Sequence, residues 1–303
     1  MMRGMNKLSH AERAHILSLL CEGNSLRAVT RITGVSINTV TKLLIDAGRV
    51  CEDFHNRTVR NVTAKRIQCD EIWSFTYAKA KNVNAAKAAP EGAGDTWTWT
   101  ALDADSKLIV SWLVGGRDAG YAAAFMEDVA GRLANRVQLT TDGHKAYLSA
   151  VDAAFGADVD YAMLEKIYGT SPESSRGRYS PADCIGTKTR AIEGRPDPKH
   201  VNTSYVERQN LTMRMHMRRF TRLTNGFSKK VENHAYAVAL HFVYYNFVRM
   251  HKTLRCTPAM AAGISTKLWE VSDIVALLEA AEAAEAPKAR GPYKTRATDQ
   301  ISD

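Results

Sequence analysis

Three acidic residues have the type and placement for metal-assisted chemistry. Glu207 is the only acidic residue between Asn202 and Arg222, a stretch reading NTSYVERQNLTMRMHMRRFTR with arginine at 208, 214, 218, 219 and 222. A solvated helix face intersperses its signs. One carboxylate among arginines instead fits a group that holds a metal ion beside a phosphate-bearing substrate. Asp70 in CDEIWSF and Asp142 in TTDGHKAY are the partners such a group needs. Phosphoryl transfer on DNA can use two divalent cations about 3.5–4 Å apart, one activating the attacking oxygen and one stabilising the leaving oxygen. Mg²⁺ keeps much of its water, so two or three carboxylates suffice. Asp70, Asp142 and Glu207 are therefore the candidate catalytic and metal-binding residues, with Mg²⁺ the expected ion and Mn²⁺ able to substitute. Asn210 and Arg214 lie three and seven residues beyond Glu207, on the same helical face. With Arg208 they are candidate contacts to a DNA backbone.

The elements that must position these residues follow from periodicity. Ile67–Phe75 alternates as a strand, with Gln68, Asp70, Ile72 and Ser74 on one face and Ile67, Cys69, Glu71, Trp73 and Phe75 on the other. An Ala-, Lys- and Gly-rich loop over 78–94 leads to strands at 96–103 and 108–114, completing an antiparallel meander. A helix over 119–134, a strand over 137–141 ending at Asp142, a helix over 144–155 and a strand over 159–164 follow. The order βββαβαβ and then a helix is that expected of an α/β fold with a ribonuclease H-like catalytic core, a mixed sheet flanked by helices. If the strands carrying Asp70 and Asp142 are parallel neighbours, their carboxylates lie side by side. Asn202, Thr203 and Ser204 are available to cap a helix over 202–222 that presents Glu207. Residues 169–200, rich in Ser, Gly, Pro and Arg, read as an insertion loop, either DNA-contacting through Arg176, Arg178, Lys188, Arg190, Arg195 and Lys199 or without order.

Charge points to the partner. Residues 1–66 carry a net +6 and residues 207–255 a net +8, while 67–206 carry −3 and 256–303 carry −2. Two basic blocks around an acidic middle suit a polyanion gripped at two places. Residues 5–50 read as three short helices, with a Thr33–Gly34–Val35–Ser36 turn between the second and third. That pattern matches a helix-turn-helix, whose second helix enters the DNA major groove by its N-terminal residues. Asn38, Thr39 and Lys42 would then face bases, and Arg27 and Arg31 phosphates. The expected organisation is a helix-turn-helix domain over 1–50, a basic linker over 51–66, a catalytic domain over 67–255, and a C-terminal helix with a basic tail over 256–303.

These residues resemble a family. DEIWSF at 70–75, TTDGHKAY at 140–147, ERQNLTMR at 207–214 and NGFSKK at 225–230 look like bacterial insertion-sequence transposases of the acidic-triad (DDE) type, closest to the group named after insertion sequence 1. The resemblance spans roughly residues 5–255, and the ERQN block is its most specific part. It implies a ribonuclease H-like core, an N-terminal helix-turn-helix that binds transposon ends, and Mg²⁺-dependent cleavage at those ends with transfer of a 3′-hydroxyl into target DNA. Asp70, Asp142 and Glu207 match the triad, and Arg214 the basic residue seven places after the glutamate. Tyr245–Asn246, Arg249, His251 and Thr257–Pro258 resemble a downstream block of related transposases and integrases. Bringing two ends together implies a homodimer or higher oligomer on DNA. Some members carry an N-terminal zinc finger with paired cysteines, which this chain lacks, and the interval from Asp142 to Glu207 is long for the family, consistent with an insertion at 169–200.

Other features narrow the field. The five cysteines are scattered without a CxxC, and Cys51 and His55 have no second ligand pair nearby, so neither a disulfide framework nor zinc is expected. No apolar run reaches membrane-spanning length, and no signal peptide is evident, so the expected setting is cytoplasmic and nucleoid-associated, without a membrane partner. A nuclease of the same fold and a DNA-binding regulator derived from a transposase are the alternative functions. Glu193 or Asp183 is the alternative third carboxylate, should residues 169–200 fold inward.

Overall fold

The computed structural model describes residues 7–169, 184–221 and 224–285. The chain opens with helices α1 (His10–Cys21), α2 (Leu26–Thr33) and α3 (Ile37–Thr58). Ser9, Ser25 and Ser36 each accept a backbone amide at a helix start, and Gly34 ends α2 at φ 72°, the left-handed conformation glycine adopts most easily. These boundaries agree with the sequence signals. The end of α3 does not. The helix runs on through Thr58 because Val50, Cys51 and Phe54 continue the apolar spacing of Val40, Leu43, Leu44 and Ala47. The expectation of a linker over 51–66 is therefore corrected for its first half.

Then come β1 (Arg66–Thr76), the short α4 (Ala80–Val83), β2 (Gly94–Asp103), β3 (Ile109–Gly115), α5 (Ala119–Ala130), β4 (Gln138–Asp142), α6 (Ala146–Phe155), β5 (Asp160–Tyr168) and β6 (Cys184–Glu193). Helix α7 (Ser204–His216) carries Glu207 and gives way to a 3₁₀ turn at Arg218–Phe220, so the single helix expected over 202–222 is shorter than its pattern suggested. Helix α8 (Val231–Val243) continues into a π-helical turn at Tyr244–Val248, and α9 (Pro258–Ala261) and α10 (Val271–Glu285) close the described chain.

The six strands form one mixed sheet in the order β3-β2-β1-β4-β5-β6. The meander β1–β2–β3 is antiparallel, β1–β4 and β4–β5 are parallel, and β5–β6 is antiparallel. This is a mixed α/β architecture compatible with a ribonuclease H-like core. Strand β6 corrects the reading of 169–200 as a loop over its second half. Its side chains are nearly all exposed, so it carries no apolar alternation and gives no strand signal. Residues 170–183, with Arg176, Arg178 and Asp183, lie outside the described residues, as do Arg222 and the basic tail beyond 285.

Helices cover both faces of the sheet. Trp99 on β2 is fully buried against Phe125 of α5 and Tyr147 of α6, with ring centroids 5.7 and 5.4 Å away. Burial of such aromatic rings contributes on the order of 2–3 kcal/mol each. The other face meets α7 and α8. Fully buried Asn246, in the π turn after α8, accepts from the Ile109 amide and donates to its carbonyl, both at 2.9 Å, tying β3 to the helical layer. The N-terminal helices share this core. A side chain at Gly48 of α3 would come within 2.3 Å of the Tyr236 carbonyl on α8, so the two helices pack at glycine distance. Helix α10 lies on α1 and α3, where Arg13 reaches Glu282 at 3.1 Å and Arg49 reaches Glu285 at 3.2 Å. No helix among the described residues is long and apolar enough to cross a membrane.

Candidate active site

The parallel pairing of β1 and β4 brings Asp70 and Asp142 together. Cys69 is registered with Thr141, the last β1–β4 pair, and each aspartate is the next residue. Glu71 joins them. Ligand oxygens of Asp70, Glu71 and Asp142 all lie within 4.8 Å of one another. Strand alternation assigned Glu71 to the opposite face from Asp70. The alternation holds, since β1 stays paired with β2 at Asp70–Thr100 and Glu71–Trp99: Asp70 meets Asn210 of α7, Glu71 meets Arg117 before α5, and only their carboxylate oxygens approach one another.

Surrounding groups hold the cluster. Asn210 of α7 donates from Nδ2 to Asp70 Oδ2 at 2.8 Å, and the Glu71 amide donates to Asp70 Oδ1 at 2.9 Å. Asp142 Oδ1 accepts the His144 amide at 3.0 Å. Arg117, in the turn between β3 and α5, places Nε and Nη2 each 3.1 Å from Glu71 Oε2 and Nη2 3.6 Å from Asp142. Its guanidinium lies over the Trp97 ring, 4.6 Å from the centroid. The Glu71 side chain is fully buried, and its Oε1 has no hydrogen-bond partner among the described residues. The buried Tyr147 hydroxyl is near enough to lower the Glu71 pKa, although the pair lacks hydrogen-bond geometry.

Electrostatics records the crowding. Burial, then the charges of Asp142 and Glu71, push the Asp70 carboxyl up to about 8. Burial and Asp142 push Glu71 up to about 7, against the opposing pull of Tyr147 and Arg117. Carboxylates brought together out of water keep protons unless cations compensate them. The donor set is all carboxylate oxygen, one oxygen is buried without a partner among the described residues, and Arg117 offsets only part of the charge, so these residues fit a hard divalent cation such as Mg²⁺ or Mn²⁺.

Glu207 lies outside this tightest cluster but within its field, since its charge raises the Asp70 pKa. Thr203 donates to its Oε1, and Lys166 of β5 pairs with its Oε2. The start of α7 is docked on the sheet by a side chain the sequence did not indicate. Gln68 Oε1 accepts the amides of Tyr205 and Val206 at 2.9 and 3.2 Å, while its Nε2 donates to Asn202 Oδ1 at 2.7 Å. The expected local cap is corrected accordingly, because Thr203, at the N-cap, makes no capping hydrogen bond.

The other candidates divide. Arg208 is exposed on α7, and Arg214 is half-buried. Asn210 is buried, at 6% exposure, and its Nδ2 donates to Asp70. Arg27 and Arg31 on α2 and Asn38, Thr39 and Lys42 on α3 are all exposed. Glu193 pairs in register with Tyr161, which in turn pairs with Leu139, so it lies two strands from β4 and level with its first residues, at the end away from Asp142. Sequence reasoning missed Glu71, Arg117, Lys166 and Gln68. The Asp70–Glu71 doublet was the one available signal; the others depend on contacts between residues 41 or more positions apart.

No family model and no curated protein matches this chain. Solved structures that align with it include a Mos1 transposase paired-end complex with the left transposon end (13% identity, 50% of this chain and 59% of that chain, TM-score 0.20) and the Mos1 strand transfer complex (12%, 80% and 80%, 0.23). A third is a piggyBac transposase synaptic complex with hairpin DNA (10%, 95% and 76%, 0.37). The chain spans about three fifths of the length of the first of these. Alignments this loose transfer no residue role, and what the site can do rests on this chain's own side chains.

Proposed function

We propose that the chain is a DDE-type DNA transposase of the insertion-sequence-1 kind, cleaving at element ends and transferring the freed 3′-hydroxyl into target DNA. The observation that carries this is the placement of Asp70 and Asp142 at adjacent positions of two central parallel strands, with Glu207 presented by a helix hydrogen-bonded to the same strand. Asp70, Asp142 and Glu207 are the catalytic carboxylates, Glu71 adds a fourth, and together they would hold Mg²⁺ or Mn²⁺. Divalent cations at such a site supply the positive charge that activates an attacking oxygen and stabilises the leaving one.

The chain's own residues do the rest. Asn210 fixes the Asp70 carboxylate, and Gln68 fixes the start of the helix that carries Glu207. Lys166 and Thr203 hold Glu207 beside the cluster, within reach of a site that assembles on substrate. Exposed Arg208 on the same helix faces the phosphodiester backbone. Arg27, Arg31, Asn38, Thr39 and Lys42 form the end-binding surface of a helix-turn-helix, and two copies meet on paired ends. The protein acts at the nucleoid of a bacterial cytoplasm.

The test is strand transfer of an oligonucleotide containing the element end, with Mg²⁺, by the wild type and by Glu207→Gln and Glu193→Gln. Joined product from the wild type and from Glu193→Gln, lost in Glu207→Gln, is expected. Cleavage without joining points to a nuclease. DNA binding without cleavage in Mg²⁺ or Mn²⁺ points to a regulator.

A further inference from the structure

The carboxylate cluster already has a cation of its own. Arg117 contributes two nitrogens to Glu71 Oε2 at 3.1 Å and one to Asp142 at 3.6 Å, so a single guanidinium bridges two of the three clustered acids. It makes these contacts from a partly open position. Its side chain is 35% exposed, whereas that of Glu71 is fully buried. The Trp97 ring beneath it, 4.6 Å away, supports the guanidinium plane without consuming a hydrogen bond. The turn that carries it begins at Gly115 and Gly116, where a Cβ would come within 1.8 and 2.9 Å of the Tyr121 ring, so that ring fixes the turn's path close to α5.

This arrangement is lopsided in a telling way. Arg117 spends its two short contacts on one oxygen of Glu71 and leaves the other, Oε1, buried without a partner among the described residues. Its longer contact reaches Asp142, the acid that neighbours Asp70 across the strand pair. The Glu71 contact is an anchor. The Asp142 contact stands where a metal bound by Asp142 and Asp70 would carry its charge.

We infer that Arg117 is a resident counter-cation of the cluster, which anchors Glu71 and competes with a divalent metal for Asp142. Asp142 would give up its Arg117 contact to hold a metal, while the guanidinium, kept at Glu71, would remain nearby as a fixed positive charge. Arg117 is thus a positioning residue that weakens resting metal affinity. The inference rests on the cluster being a metal site, as proposed above.

Mn²⁺ binding distinguishes this role from a merely structural one. Free Mn²⁺ is measured by electron paramagnetic resonance during titration of the full chain, for the wild type, Arg117→Gln and Arg117→Lys, with folding checked by circular dichroism. Like charge a few ångströms from a divalent ion costs affinity, so Arg117→Gln is expected to bind Mn²⁺ about tenfold more tightly at unchanged stoichiometry. Arg117→Lys, which keeps the charge, stays near the wild type. Equal or weaker binding by a folded Arg117→Gln, against a wild type that binds, overturns the counter-cation role and leaves the metal site standing. No stoichiometric Mn²⁺ binding by wild type or Arg117→Gln overturns both.

Discussion

Asn210 Nδ2 lies 2.8 Å from Asp70 Oδ2, joining the helix of Glu207 to the strand of Asp70. Glu207 is therefore carried on an element seated against the sheet. Its remaining freedom lies in its own side chain, which Lys166 and Thr203 hold.

Asn210→Ala frees Asp70 from its side-chain donor. The fold loses about 1 kcal/mol, as for a typical hydrogen bond, while metal-dependent strand transfer falls at least tenfold because the carboxylate is no longer oriented. Comparing the chemical denaturation midpoint with single-turnover rates separates the two effects. A stability loss with full activity would show that Asn210 does not position Asp70.

Gln68→Ala removes the acceptor for the Tyr205 and Val206 amides and leaves the first turn of α7 uncapped. Loss of a helix cap costs about 1–2 kcal/mol. Amide hydrogen exchange should quicken within Ser204–His216 and stay unchanged in β2 and β3. Exchange that rose equally throughout the chain would mean the cap has no local role.

Gly48→Ala tests whether the N-terminal helices belong to the same core. The added methyl meets the Tyr236 backbone at 2.3 Å, and neither helix can yield without disturbing its packing. Overpacking of this kind costs about 1–3 kcal/mol. Gly156, with φ 52° but open space around it, serves as the comparison for conformational strain without a clash. A Gly48→Ala melting temperature equal to the wild type's would argue that α3 can move off α8.

The acidic cluster makes stability fall as pH rises when no divalent ion is bound. Asp70 and Glu71 ionise near 3.8 and 4.5 in an unfolded chain but near 8 and 7 in the folded one. Between those limits the folded state holds protons that the unfolded state has released. Their stabilising contribution is therefore full below about pH 4 and is lost as pH rises through 7 and 8. Buried His55, His234 and His241, each pushed down to about 3 by burial, act oppositely, but only below their unfolded value of 6.5. Urea denaturation between pH 6.5 and 8.5 in EDTA isolates the carboxylates. The limiting slope is about 1.4 kcal/mol per pH unit for each proton released. Asp70→Asn should flatten this slope, and Mg²⁺ should stabilise the wild type more at pH 8 than at pH 6.5.

The parts of this site legible in the sequence are those set by local pattern. Asp70 and Asp142 could be paired because strand periodicity and the βββαβαβ order place their strands side by side. Glu71 lies on the face opposite Asp70, as alternation predicts, but alternation does not reveal that its carboxylate reaches those of Asp70 and Asp142. Gln68 reads only as a residue on the Asp70 face of its strand, since nothing local reveals that its partners lie 137 and 138 positions away. Strand β6 was read as loop because an exposed edge strand has no buried face to impose a pattern. Likewise, α3 was cut short at a supposed domain boundary although its apolar spacing continues to Phe54.

The most direct measurement of the central claim is single-turnover strand transfer with an end-containing oligonucleotide and Mg²⁺ for the wild type, Asp70→Asn and Asp142→Asn. Joined product from the wild type, with a loss of at least about 1,000-fold in both variants, is the predicted result. Equal activity in either variant, or a folded wild type that binds the DNA and never cleaves it, would contradict the account.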